Sequence, residues 1–331
     1  MNMSHQSGER PQPTTAEDLG RVHLIGVGGV GMSAVARLLL TRGIPVSGSE
    51  LREWPALAAL RALGGTIFRT HEAANLDGAD TVVYSTAIPA DHVELVEARS
   101  RGLRVLHRAE ALAVTMAGSR AIAVAGTHGK TTTTSMITII LQHAGLDPSF
   151  VIGGEISEAG SNAHHGSGEY FVAEADESDR SFLLYRPHVG LVTNLDSDHL
   201  NTYGDLAGLE DAFVEFCANV EADGFVIACA DDPATGRMIE RAVAAGAAVF
   251  TYGESERADL RISGIRSSAA GVTYQASLDG QPLGEVTLPV PGRHLGLNAA
   301  GALLTALRLG VKPEVAIEGL AAFPGVRRRF E

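Results

Sequence analysis

The stretch Ala121-Ile122-Ala123-Val124-Ala125-Gly126-Thr127-His128-Gly129-Lys130-Thr131-Thr132-Thr133 decides how the rest of the chain is read. Five apolar residues without a polar interruption are the pattern of a strand buried on both faces. Two glycines then let the backbone turn, and a helix pattern runs over residues 131–144. A glycine loop between a buried strand and a helix start aims backbone N–H groups and the positive helix end at one point, which makes a phosphate cradle. Lys130 is placed to reach the β- and γ-phosphates of a nucleoside triphosphate, and the Thr131 hydroxyl to ligate Mg2+. Gly126, Thr127, His128, Gly129, Lys130, Thr131 and Thr132 are therefore candidate nucleotide contacts. The loop is a variant, because the G-x-x-x-x-G-K-T pattern would put its leading glycine at position 124, where Val124 stands.

Upstream, the same rhythm occurs once before. Arg21-Val22-His23-Leu24-Ile25 is a short apolar strand that runs into Gly26-Val27-Gly28-Gly29-Val30-Gly31, and a helix pattern follows over 32–42. Strands at 45–49, 66–68, 81–84 and 104–106 alternate with helices near 55–63 and 92–101, which implies a parallel sheet. G-x-G-x-x-G after a strand fits a diphosphate, and Glu50 at the end of the next strand stands where NAD enzymes bind a ribose. The alternative is a strand–turn–helix whose glycines serve packing alone. The motif fixes a diphosphate better than it identifies the molecule carrying it.

Downstream, strands are expected at 170–173, 188–192 and 224–228, with helices near 131–144, 206–219 and 233–245. Residues 272–278 alternate with period two, Asp279-Gly280 is a hairpin turn, and 284–288 follows, which reads as a small antiparallel sheet. A helix is expected over 298–309. The predicted architecture is α/β: a disordered tail (1–20), a Rossmann-like parallel-sheet domain (21–120), and a P-loop ATPase-like α/β domain carrying the antiparallel piece (121–324).

A phosphate loop needs a metal partner at a neighbouring strand end. Glu174-Ala175-Asp176-Glu177-Ser178-Asp179 supplies four carboxylates. Most read as a solvated loop, but Glu174 lies at the strand terminus, where a hard oxygen ligand suits Mg2+. Asp196 and Asp198 read as turn or helix-capping residues. His199 beside them is open between a second metal, a substrate contact and an ordinary turn residue.

The bulk composition narrows the function classes. The 331 residues are 45% hydrophobic and 20% charged, near the averages of globular proteins, and the length suggests about two domains. The net charge of −13 argues against a nucleic-acid binder but leaves small phosphorylated ligands open, since these are held by local donors. Cys217 and Cys229 have no ligand-like spacing and read as two buried thiols in a reducing compartment, with a disulfide the alternative. No apolar leader and no membrane-length apolar run occur, so a cytoplasmic protein without membrane insertion is expected. A monomer or weak dimer is expected. No G-x-S-x-G elbow supports a serine hydrolase.

Taken in order, Gly28-Gly29-Val30-Gly31-Met32-Ser33, Gly126 to Thr133, Glu174 to Asp179, Asp198-His199-Leu200, Pro291-Gly292-Arg293-His294 with Asn298, and Arg328-Arg329-Phe330 resemble the Mur ligases of peptidoglycan synthesis. The resemblance spans residues 22–331. Ser178 favours the members that add L-alanine over those that recycle murein tripeptide, in which a tyrosine stands there. The resemblance implies an ATP- and Mg2+-dependent carboxylate–amine ligase joining L-alanine to UDP-N-acetylmuramate through an acyl phosphate. It implies Lys130, Glu174, His199 and Arg329 as catalytic residues, with Thr131 and Glu174 on one Mg2+, His199 on a second, and Arg329 on the γ-phosphate. His294 and Asn298 would meet the adenine. Gly28, Gly29, Val30, Gly31, Met32, Ser33 and Glu50 would hold the UDP part of the substrate, with His71 and Ser85 as further sugar-nucleotide contacts. Leu295 departs from the family, which has Asn there. Residues 325–331 stand where a third domain of the family begins, which implies that this stretch of chain binds nucleotide and turns over little L-alanine. Two other readings stay in play: an NAD-dependent Rossmann oxidoreductase, which leaves Gly129-Lys130-Thr131 without a role, and a non-catalytic nucleotide-binding module.

Overall fold

A computed structural model describes residues 13–156, 161–198 and 200–327. The chain divides into two units at Gly118 and Ser119. In the first unit, β1 (Val22–Ile25), β2 (Val46–Ser49), β3 (Thr66–Phe68), β4 (Thr81–Tyr84) and β5 (Arg104–His107) form an all-parallel sheet in the order β3-β2-β1-β4-β5. All four residues of β1 are buried, as a central strand covered on both faces requires. The connecting helices are α1 (Val30–Thr41), α2 (Pro55–Ala62), α3 (Val93–Ser100) and α4 (Arg108–Met116). Ile25, Leu76, Val82, Leu95 and Ala98 build one core cluster, with Tyr84, Ile88, Leu103 and Val105 against it. At the end of β1, Gly26 adopts φ +71°, a left-handed turn that glycine enters without steric cost and that starts the loop.

The tail expected over 1–20 is corrected for its last part. A 3-10 turn covers Ala16–Leu19, both of those residues are buried, and the Thr14 and Thr15 amides donate to the Asp18 carboxylate. Two apolar side chains in a polar stretch carry no periodic signal, yet each finds a place in the core. Residues 1–12 lie outside the described residues.

The second unit holds β6 (Arg120–Ala125), β7 (Ser149–Ile156), β8 (Ser161–His164), β9 (Tyr170–Glu174), β10 (Val189–Val192), β11 (Phe225–Cys229), β12 (Val249–Gly253), β13 (Leu260–Ser268), β14 (Gly271–Leu278), β15 (Gln281–Leu288) and β16 (Val326–Arg327). The sheet runs β15-β14-β13-β12-β11-β10-β6-β9-β7-β16, with β8 paired to β7. The hairpins of β13, β14 and β15 are antiparallel as expected, but they are no separate sheet. Tyr252 and Gly253 of β12 pair parallel with Leu260 and Arg261 of β13 and make one continuous surface. Asp279 and Gly280, both with positive φ, close the β14–β15 turn.

The helices of this unit are α5 (Lys130–His143), α6 (Leu200–Tyr203), α7 (Leu206–Ala218), α8 (Pro233–Ala244), α9 (Arg293–Arg308) and α10 (Pro313–Ala321). α5 touches both α9 and α10, and α7 packs on α8. The run Thr131 to Thr134 is poor in intrinsic helix preference because its side chains are β-branched. Burial supplies what propensity lacks, since Met136, Ile137, Ile140 and Leu141 all enter the core beside Ile122 and Val124. Cys217 and Cys229 are free and buried, and burial pushes the Cys217 thiol up to about 12 and that of Cys229 to about 11. Among the described residues no helix is long and apolar enough to cross a membrane.

Candidate active site

In the second unit, β6 lies between β9 and β10, with Val124 opposite Glu174 and Ala125 opposite Val192. The loop leaving β6 therefore emerges between a carboxylate on one side and the Thr193-Asn194 pair on the other. Val124 is fully buried in the strand, so the turn begins two residues later than the common phosphate-loop pattern. Gly126 has φ +126°, and a Cβ there would stand 2.1 Å from the Thr193 hydroxyl. Gly129 has φ +84°, and its Cβ would meet Asn298 at 2.7 Å. Both glycines are required by close approach as well as by backbone angle.

The end of β10 clamps the loop from below. The His128 amide donates to Asn194 Oδ1 at 2.9 Å, Asn194 Nδ2 donates back to the His128 carbonyl at 3.0 Å, and the Thr193 hydroxyl donates to the same carbonyl at 2.6 Å. The Asp196 amide donates to the Thr127 hydroxyl at 2.9 Å. Gly129, the residue before α5, offers no side-chain cap, which leaves the first-turn N–H groups of α5 for a ligand anion.

Lys130 Nζ donates to the Gly126 carbonyl at 2.7 Å, to the Thr127 carbonyl at 3.4 Å, and to Glu177, with which it forms an ion pair at 2.8 Å. Its three donors are thus all engaged. Glu177 is 1% exposed, which corrects its expected place in a solvated acidic loop. Burial raises its carboxyl above the ordinary glutamate value, and Lys130 pulls it back down. The Tyr203 hydroxyl donates to the Glu177 carbonyl, and Thr202 donates to the Ser178 carbonyl at 2.9 Å, so α6 holds the acidic segment in place.

Glu174 closes the other side. Its Oε2 accepts from the Thr131 hydroxyl at 3.2 Å, and its Oε1 from the Gly153 amide at 2.6 Å. Burial raises this carboxyl too, and the Gly153 amide and Thr131 hydroxyl act against that. Asn298 in α9 lies against Gly129, while His294 in the first turn of the same helix is exposed. Leu295 packs against the core. His199 and Arg329 lie outside the described residues.

The glycine loop of the first unit is built differently. Glu50 Oε2 accepts the Gly28 amide at 3.2 Å, and Oε1 accepts the Arg52 amide at 3.1 Å. A Cβ on Gly28 would stand 2.2 Å from the Trp54 ring, and one on Gly31 would stand 3.0 Å from the Arg108 side chain. Met32 and Ser33 are buried, with the Ser33 hydroxyl donating to the Val30 carbonyl at 3.0 Å, so only their backbone can face a ligand. His71 lies 2.9 Å from the Ser49 hydroxyl, at the same end of the sheet, and Ser85 follows β4. Arg108 and Trp54 are brought to this loop without any sequence signal linking them to it, except that Trp54 is the chain's one tryptophan.

Comparison with known proteins finds one family in both units. A model of the Mur ligase middle domain matches residues 124–306, and one of the Mur ligase family catalytic domain matches 21–120. The UDP-N-acetylmuramate–L-alanine ligase of Salinispora arenicola is 67% identical over 99% of this chain, which spans 65% of that relative's length. The ligase of the same name from Acidothermus cellulolyticus is 52% identical, with 99% of this chain and 69% of the relative covered. Among solved structures, a UDP-N-acetylmuramate–alanine ligase from Thermotoga maritima matches with a TM-score of 0.81 at 32% identity, covering 94% of this chain and 70% of the other.

Proposed function

Because the chain belongs to the Mur ligase family, we propose that it is the nucleotide- and UDP-sugar-binding part of an ATP-dependent ligase that joins L-alanine to UDP-N-acetylmuramate. The observation that carries this reading is the meeting of Lys130, Thr131 and Glu174 at the N-terminus of α5, with the first-turn amides uncapped. Phosphoryl transfer needs positioning and charge neutralisation more than covalent help.

In the proposed reaction, an oxygen of the muramyl carboxylate attacks the γ-phosphorus of ATP and the β–γ bridging bond breaks, leaving ADP and an acyl phosphate. The amine of L-alanine then attacks the acyl carbon, loses a proton, and phosphate departs as the amide forms. Lys130 holds the β- and γ-phosphates and has to exchange one of its present acceptors to do so. The loop amides and the first turn of α5 hold the remaining phosphate oxygens. Thr131 and Glu174 present a hydroxyl and a carboxylate 3.2 Å apart, a hard-oxygen pair that fits Mg2+, and would hold that ion. When bound, Mg2+ neutralises phosphate charge. Asn298 and His294 are assigned to the adenine, and His199 and Arg329 keep the roles that the family pattern gives them.

In the first unit we assign the Gly28–Gly31 loop to the UDP diphosphate, with Arg108 as its cation and Trp54 bordering the nucleotide. Glu50 must leave the Gly28 amide to admit an anion. The experiment is phosphate release by the full-length protein given ATP, Mg2+, UDP-N-acetylmuramate and, in turn, L-alanine, glycine and L-serine. Release that requires the muramyl substrate and is fastest with L-alanine is expected, and release indifferent to the muramyl substrate would overturn the assignment. Saturable NADH binding at the first glycine loop would count for the oxidoreductase reading instead.

A further inference from the structure

Glu94 is fully buried in the first turn of α3, and its two oxygens accept hydrogen bonds from Ser49 at 2.6 Å and Asn75 at 2.7 Å. Three imidazoles surround it. His71 Nδ1 lies 3.4 Å from Oε2, His23 Nε2 lies 3.7 Å from Oε1, and the His92 ring meets the His71 ring edge-on at 4.6 Å. His92 Nδ1 is buried and has no hydrogen-bond partner. Among the described residues no Lys or Arg pairs with Glu94. A buried carboxylate beside a buried ring nitrogen that has no partner offers two ligand atoms, and leaving such a nitrogen unpaired is costly. One ligand that answers both is a divalent cation.

One ligand atom each from His71, His92 and Glu94 already lies within 4.8 Å of the other two. Ligands of a tetrahedral ion with bonds of 2.0–2.1 Å stand about 3.4 Å apart, so side-chain rotations that shorten the separations by at most about 1.4 Å close the set. Two imidazoles and one carboxylate are a borderline donor set, suited to Zn2+ or Co2+ rather than to Mg2+. Three protein ligands leave one position for water or a bound ligand atom. Ser49 and Asn75 hold the carboxylate from behind, as outer groups at metal sites do. We propose that His71, His92 and Glu94 form a binding site for a divalent cation of the Zn2+ class in the first unit.

The test uses the full chain freed of metal and titrated with Co2+, whose visible d–d absorption reports a tetrahedral or five-coordinate environment, followed by Zn2+ displacement. One equivalent is expected to bind, to resist excess Mg2+, and to raise the thermal midpoint. His92→Asn and Glu94→Gln should remove the absorption, and Ser49→Ala should weaken binding by about 10–100-fold. His143→Ala, at an exposed histidine, should change nothing. An unaltered metal-free melting curve for His92→Asn separates a lost ligand from a lost fold. Absence of stoichiometric Co2+ and Zn2+ binding, or binding untouched by His92→Asn, overturns the proposal. Titration with UDP-N-acetylmuramate in metal-free buffer reads the function of the unit separately, so either conclusion can fail alone.

Discussion

At the scale of single residues, the Lys130–Glu177 pair couples stability to the site. Glu177 is 1% exposed and the Lys130 side chain 17% exposed, so removing the cation strands a carboxylate in the interior. Breaking such a pair costs about 3–5 kcal/mol, and the partial exposure of Lys130 places this one toward the lower end. Lys130→Met should therefore destabilise the second unit as well as abolish phosphate release. Adding Glu177→Gln should return much of the stability and none of the activity. Urea unfolding of the two single variants and the double variant checks this, and additive losses would sink the idea. Glu174 gives a second prediction. Its folded-state carboxyl is raised by burial, so it contributes stability below the unfolded value of 4.5 that is lost as pH rises through the folded value. Mg2+ needs the ionised form, so Mg2+-dependent nucleotide affinity should weaken with falling pH earlier than an ordinary glutamate would dictate. Glu174→Gln should remove that part of the pH profile in a titration of both proteins. Lys130, Thr131 and Glu174 were legible in the sequence because each stands at a fixed offset from a strand end or glycine. Glu177, Arg108 and Trp54 were not, because burial and proximity across tens of residues leave no local pattern.

At the scale of elements, the strand–loop–helix of β6 and α5 explains the glycine that the loop pattern leads one to expect at position 124. Val124 is fully buried and pairs with Glu174 of β9, so it belongs to the strand that aims the loop. Val124→Gly should cost about 2–4 kcal/mol through lost core volume and added backbone freedom, and should not tighten nucleotide binding. Chemical denaturation and a nucleotide titration of the variant decide it, and tighter binding would count against this account. β1, β2, β6 and β9 were readable from short runs ending in glycine or acid, whereas β7 and β12 were not read, although Phe150, Ile152 and Tyr252 in them enter the core. α4 was not read, because it follows β5 at the very next residue with no Gly or Pro between them, and His107 stands at its N-cap in place of Ser, Thr, Asp or Asn. α10 has Pro313 in its first turn, a start signal that the sequence carries without an N-cap Ser, Thr, Asp or Asn before it. The hairpin of β14 and β15 announced itself through Asp279-Gly280. Its union with the parallel sheet did not, because strand neighbours at a sheet edge are chosen by three-dimensional packing rather than by local sequence.

At the scale of the whole molecule, each unit has its own sheet, all-parallel in the first and mixed in the second, its own hydrophobic cluster and one glycine loop. Two cores of this kind are expected to unfold as two cooperative transitions, for which a single unfolding free energy is not defined. A ligand that binds only the native form adds about 2.7 kcal/mol at a hundred times its dissociation constant. For a unit the size of Ser119–Glu331, at about 2–4 °C per kcal/mol, that is a rise of about 5–11 °C in its midpoint. Calorimetry should therefore show Mg2+–ATP raising one transition and UDP-N-acetylmuramate the other. The net charge of −13 does not oppose this, because on the proposed assignment both ligands are anions that amides, Lys130 and Arg108 would hold at short range rather than the molecule's overall field. One transition moved equally by either ligand would mean that the glycine loops do not divide the two substrates between the two units, and the assignment of the first loop to the UDP-sugar would have to be given up.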